Sequence, residues 1–205
     1  PDLSGVKMTT SLTYFDFDGS RGLECRLALT AAGVAFDDNR VNREQWAALK
    51  PTVPFGAMPV LDHNGRKLAQ STAILRYVGG THAMHPADAW TAAEHDALMH
   101  SVEDLRHKMP GAGLSDDDKK SAREAFGAGW LTQWAATVEA RIAGPFIEGA
   151  TLNVADIKLY VILRAFFSNT YDHIPGSFFD SYPKIKALYA AVDGHAGIKA
   201  YFASR

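Results

Sequence analysis

"PFGAMPVLDHNGRKLAQST", residues 54–72, decides the fold. Two apolar runs, "MPVLD" and "RKLA", flank His63-Asn64-Gly65, and Asn-Gly between such runs is the strongest short-range hairpin signal. Pro59 holds Met58 extended, and a cis bond between them would turn the chain sharply and leave the Met58 N–H and C=O outward. Such unpaired groups accept an extended peptide as an added strand. Ser71 stands where a helix begins, so its hydroxyl and the free N–H groups of the first turn make a seat for a carboxylate. Singly, Ser71 reads as an N-cap and Pro59 as a strand-initiating residue. Joined to a tyrosine closing an earlier strand, they read as one binding edge.

Upstream of that segment, "SLTYF" is a compact strand stopped by the turn-rich "DFDGS". "RGLECRLALTAAG" carries Leu23, Leu27 and Ala31 at helical spacing and ends on Gly33. "VAFDDNRV" reads as a second strand and "NREQWAALK" as a short helix that stops before Pro51. The order β-α-β-α-β-β-α predicts a small mixed sheet covered by helices.

Downstream of "GGTHAMHPAD" no strand-like alternation survives. Leu98, Val102, Leu105 and Met109 form one helical stripe. Ser115 with Asp118 caps a long helix running toward Gly144-Pro145. Asn153 and Asp156 repeat that arrangement before "IKLYVILRAFF", apolar nearly all round and so central to a bundle. The expected organisation is an N-terminal extension or expression remnant over 1–10, an α/β domain over 11–79, a linker over 80–86 and an all-α domain over 87–205.

The chain has 205 residues, 47 % hydrophobic and 21 % charged, the balance of a soluble globular protein. Its formal charge of -2 lacks the electropositive footprint that nucleic acid requires. No apolar run approaches the roughly 20 residues that span a bilayer. The single cysteine, Cys25, excludes an internal disulfide and a CxxC redox pair. Together these point to a cytoplasmic protein.

"LTYF", "PFGAMPVL" and "KLAQSTAILRYV" resemble the cytosolic glutathione transferases, most closely the sigma class, whose members include prostaglandin D synthases and lens crystallins. The resemblance covers nearly the whole chain. It implies a thioredoxin-like N-terminal domain, a helical C-terminal domain, glutathione as cosubstrate, no metal, and a homodimer with Phe55 as an apolar knob in the partner.

Residue by residue, the resemblance makes Tyr14 the catalytic donor to the glutathione sulfur. The thiolate is the reactive species, and a downward shift of about two pK units corresponds to roughly 2.7 kcal/mol. Arg21 takes the role of the arginine that supports the thiolate, although "YFDFDGSRG" is one residue longer than the family's loop. Trp46 and Lys50 hold the glycyl end. Gly56, Ala57, Met58 and Pro59 form the strand-like edge, and Gln70 and Ser71 take the γ-glutamyl carboxylate. Asp104 reaches across the dimer to the γ-glutamyl amine, or pairs with Lys108 at i+4. His100 and Glu103 alter the acidic cluster that holds magnesium in some prostaglandin synthases.

The implied substrate pocket comprises Phe15, Arg106, Met109 and Gly111, the last standing where relatives often carry tryptophan. Asn153 and Asp156 match the family's capping box, and Cys25 is a packed thiol. The implied activity is conjugation of glutathione to hydrophobic electrophiles, a detoxification. The alternatives are a non-catalytic ligand carrier or crystallin-like dimer, a glutathione-dependent prostaglandin isomerase and, last, a thiol-disulfide oxidoreductase.

Overall fold

A computed structural model describes residues 9–205. The expected extension therefore lies outside the described residues up to residue 8, and Thr10 already belongs to the first strand. The N-terminal part runs β1 (Thr10–Phe15), α1 (Ser20–Ala31), β2 (Asp37–Val41), α2 (Arg43–Leu49), β3 (Val60–His63), β4 (Arg66–Ala69) and α3 (Ser71–Thr81). Its four-stranded sheet has the order β2-β1-β3-β4. The β1–β2 pair is parallel, while β1–β3 and β3–β4 are antiparallel. This is the predicted mixed sheet of a thioredoxin-like domain.

Local sequence explains each element. Leu12 and Tyr14 alternate inward along β1. The β3–β4 hairpin closes on Asn64 and Gly65 with φ 55° and 79°, the left-handed values that a two-residue turn requires. Its register pairs His63 with Arg66. No residue of α2 is buried, and a reciprocal capping box between Asn42 and Gln45 starts it.

The remainder is helical: α4 (Ala89–Lys108), α5 (Asp116–Phe126), α6 (Thr132–Arg141), α7 (Val154–Phe167), α8 (Pro183–Gly194) and α9 (Ala196–Ala203). Ser115 accepts from the Asp118 N–H at the start of α5. The single long helix expected from there is interrupted by a π-helical turn at Gly127–Leu131. Asp156 accepts from the N–H groups of Asn153 and Ile147, both at 2.8 Å, tying the start of α7 to the preceding loop. As its composition requires, α7 is buried nearly all round, and it packs against α1, α3, α4 and α8. The helix also carries a lysine, Lys158, with no solvent exposure.

Candidate active site

The antiparallel register ends by pairing Thr13 with Val60, so the end of β1 at Phe15 and the chain entering β3 from Met58 and Pro59 lie at the same end of the sheet. The Met58–Pro59 peptide is cis, and Ala57 is extended. Beside this edge the Phe15 and Trp46 rings meet edge-on at 6.4 Å. Lys50 lies along Gly56, its Cγ and Cε 3.6 Å from where a Cβ on that glycine would stand. The structure thus gathers Phe15, Trp46, Lys50, Gly56, Ala57, Met58 and Pro59 at one end of β1 and β3.

Tyr14 is buried against α1. A Cβ on Gly22 would fall 1.9 Å from the Tyr14 ring, so only glycine allows the helix to approach this closely. Burial pushes the phenol above its ordinary range. That outweighs the Ser20 hydrogen bond and the charges of Arg21 and Arg106, which draw it down. The hydroxyl therefore stays protonated at neutral pH and is available as a donor.

Arg21 does not stand free beside Tyr14. Its guanidinium is bound by Glu103 of α4 at 2.5 and 2.9 Å. Glu103 also accepts from Lys158 at 2.6 Å and Arg106 at 2.8 Å. Glu24, fully buried on α1, accepts from Arg106 at 2.5 Å and Lys158 at 2.8 Å. Burial alone would raise the Glu103 carboxyl, but the charges of Lys158 and Arg106 with the hydrogen bonds of Lys158 and Arg21 hold it at about 2. Two carboxylates and three cations therefore form one network beneath the Tyr14 loop.

The same network reaches the start of α3. There Gln70 occupies the N-cap position with φ 75°, and Ser71 is the first helical residue. Ser71 is not the cap that its position suggests: its Oγ accepts from Lys158 Nζ at 3.3 Å. An opening of about 400 Å³ lies here, lined by Gln70, Ser71, Thr72, Arg76, Asp96 and His100.

Other expectations fare differently. Asp104 is exposed on α4, and the pair with Lys108 does not form: that ammonium lies over the Trp130 ring at 5.8 Å. Phe15, Met109 and Gly111 do not line the cavity of about 220 Å³ that Arg106 borders. Phe15 faces Trp46, Met109 caps α4, and Gly111 abuts Arg123. Phe17, Ser20 and Tyr171 line that cavity with Arg106 instead. Cys25 is fully buried and its thiol pushed far up by that burial, as a packed thiol should be. Phe55 is 82 % exposed, so it is no core residue of its own subunit.

The residues missed from sequence are Ser20, Glu24 and Lys158. A lone lysine inside an apolar helix and a glutamate inside an apolar stretch of α1 were the available signal, since each needs a buried counter-charge. Among the described residues, no group of three or more His, Cys, Asp or Glu is placed to hold a metal, and no helix is long and apolar enough to cross a membrane.

A thioredoxin-like sheet carrying a buried tyrosine, a cis-proline edge and a helical second domain is the architecture of a glutathione-handling fold. Residues 10–80 match the family model for the glutathione S-transferase N-terminal domain, and residues 103–205 that for its C-terminal domain. The chain belongs to the glutathione S-transferase family. It is 40 % identical to glutathione S-transferase 1 of Ascaris suum over 114 residues, which are 53 % of this chain and 55 % of that protein. The match thus spans about half the length of that relative. The chain is also 30 % identical to the probable glutathione S-transferase gst-36 of Caenorhabditis elegans, with 94 % of each chain covered. Among solved structures, prostaglandin synthase D of Nilaparvata lugens superposes with a TM-score of 0.83 at 30 % identity, covering 96 % of this chain and 98 % of that one.

Proposed function

We propose that this chain is a tyrosine-type glutathione transferase of the sigma class, which ionises glutathione and adds its sulfur to hydrophobic electrophiles. The observation that carries the reading is that Tyr14 and Ser71 stand at the two ends of one charge network, running through Arg21, Glu103 and Lys158. Tyr14 donates to the sulfur, and the Arg21 and Arg106 charges favour the thiolate over the thiol. Met58 offers its backbone as a strand rung to the cysteinyl unit. Gln70 and Ser71, at the positive end of the α3 dipole, seat the γ-glutamyl carboxylate. Trp46 and Lys50 hold the glycyl end.

The chain works as a cytoplasmic homodimer in detoxification, with Phe55 inserted in the partner and Asp104 reaching the partner's γ-glutamyl amine. Residues 11–79 bind glutathione and residues 87–205 supply the electrophile's wall. Proximity and a preformed thiolate lower the barrier without a covalent enzyme intermediate. The likeness to a prostaglandin synthase favours a second reading, isomerisation of a lipid endoperoxide by the same thiolate.

Steady-state conjugation of glutathione to an activated aryl halide tests the main reading. Thioether formation above the uncatalysed rate is expected. Glutathione binding without turnover of the halide marks the scaffold as a carrier.

A further inference from the structure

The cavity beside Tyr14 has a chemistry of its own. It touches the Tyr14 loop directly, because the Phe17 ring lies 5.6 Å from the Tyr14 ring and Ser20 hydrogen-bonds the phenol. Leu23, Val161, Ile162 and Ala165 give it an apolar floor. Three charged side chains also border it: Asp18, Arg106 and Arg164.

Two of these charges are already compensated. Asp18 accepts from Arg40 at 2.7 Å and from the Tyr201 hydroxyl at 2.6 Å. Arg106 is held between Glu24 and Glu103. Arg164, on α7 one turn beyond Val161, forms no ion pair or guanidinium hydrogen bond with any described residue. Its guanidinium lies 4.9 Å from the centre of the Phe202 ring. Stacking of this kind fixes the plane of the fork while leaving the N–H edge to take a carboxylate.

We infer that the electrophile taken by this site carries a carboxylate, which Arg164 binds while the apolar floor holds the carbon skeleton and the reactive carbon faces the Tyr14 loop. The inference rests on the transferase reading and narrows its substrate class to anionic, amphipathic electrophiles. In the reaction, the glutathione thiol first loses its proton to solvent, and the thiolate sulfur forms a bond to the electrophilic carbon. For an aryl chloride the C–Cl bond then breaks, and chloride leaves with the electron pair.

The test uses two aryl chlorides of nearly one shape, 4-chloro-3-nitrobenzoate and 4-chloro-3-nitrobenzamide. For each, kcat/KM is divided by the uncatalysed rate with glutathione, which removes the difference in ring electronics. The wild-type protein should favour the benzoate by about tenfold or more on this normalised scale, as one charge-assisted hydrogen-bond pair allows. In Arg164→Gln that ratio should fall to about one, and Arg164→Lys should retain part of it. The ratio is read within each protein, so general damage from a substitution cancels. Turnover of the benzamide with no preference for the benzoate, or a preference that survives in Arg164→Gln, overturns the inference and leaves the transferase reading standing. If neither chloride is consumed although glutathione binds, the transferase reading falls and this inference with it.

Discussion

Lys158 Nζ lies 3.3 Å from Ser71 Oγ while also bonding Glu24 at 2.8 Å and Glu103 at 2.6 Å, so all three ammonium protons are taken by acceptors on three different helices. The lysine joins α7 to α4, to α1, which packs on Tyr14, and to α3, which carries Ser71. Donation from Lys158 occupies a lone pair of the Ser71 hydroxyl, which leaves its proton for an anion at the start of α3.

Removal of that ammonium leaves two carboxylates in a space built for a cation. Lys158→Met should therefore destabilise the protein by about 3–5 kcal/mol, the cost of breaking a buried pair from one side. Adding Glu24→Gln should return part of the loss, because one of the stranded charges is gone. Urea denaturation of the three proteins checks both; equal stability of Lys158→Met and wild type would show that the network contributes nothing.

Much of this arrangement was legible in the sequence, and the reason for the rest is physical. The hairpin at Asn64-Gly65, the start of α5 at Ser115 and the Asp156 cap of α7 depend on residues within a few positions of one another, so the text alone predicts them. Tyr14 and the 54–72 edge are legible as candidates because their combination resembles a family pattern. The Glu24–Lys158–Glu103 cluster depends instead on how three helices meet. "IKLYVILRAFF" is apolar nearly all round, and burial makes its one lysine the centre of a network. Arg21 was assigned by position, yet its first partner is Glu103 on a helix of the second domain. The cavity that Arg106 borders depends likewise on how α1, α4 and α7 meet, and its lining includes neither Met109 nor Gly111.

Close approach of α1 to Tyr14 gives a second prediction. With a Cβ at Gly22 only 1.9 Å from the ring, Gly22→Ala must displace either the helix or the phenol. Conjugation should fall by about tenfold or more, since a misplacement of about 1 Å can cost a hundredfold. Circular dichroism should show the helical content retained. Unchanged kcat/KM would mean that the Tyr14 position does not limit the reaction.

Acid should unlock the network through Glu103. Its carboxyl titrates at about 2 when folded and near 4.5 when unfolded, so the stability it contributes is present above pH 4.5 and is lost as pH falls toward 2. Glu103→Gln should flatten that part of the stability profile. A denaturation series from pH 6 to pH 2.5 on both proteins makes the comparison, and superimposable slopes would contradict it.

Phe55 and Asp104 report on assembly. A side chain with 82 % of its surface exposed has no packing role within one subunit, so Phe55→Ser should shift sedimentation from dimer toward monomer with little change in monomer folding. Asp104→Ala should weaken glutathione binding in the dimer by several-fold, as expected for loss of one charge-assisted contact. A protein that sediments as a monomer before either change, or an unaltered dissociation constant for glutathione in Asp104→Ala, counts against these roles.

The central claim is that Tyr14 turns bound glutathione into its thiolate, and ultraviolet thiolate absorbance as a function of pH, wild type beside Tyr14→Phe, tests it most directly. In the wild-type complex the thiol should ionise about two units below the roughly 8.5 of a free thiol. Tyr14→Phe should remove that shift and lower kcat strongly while the glutathione dissociation constant changes little, because the backbone edge and the Ser71 seat are untouched. Identical titrations for the two proteins, or a bound thiol that ionises only near 8.5 in both, would contradict the account.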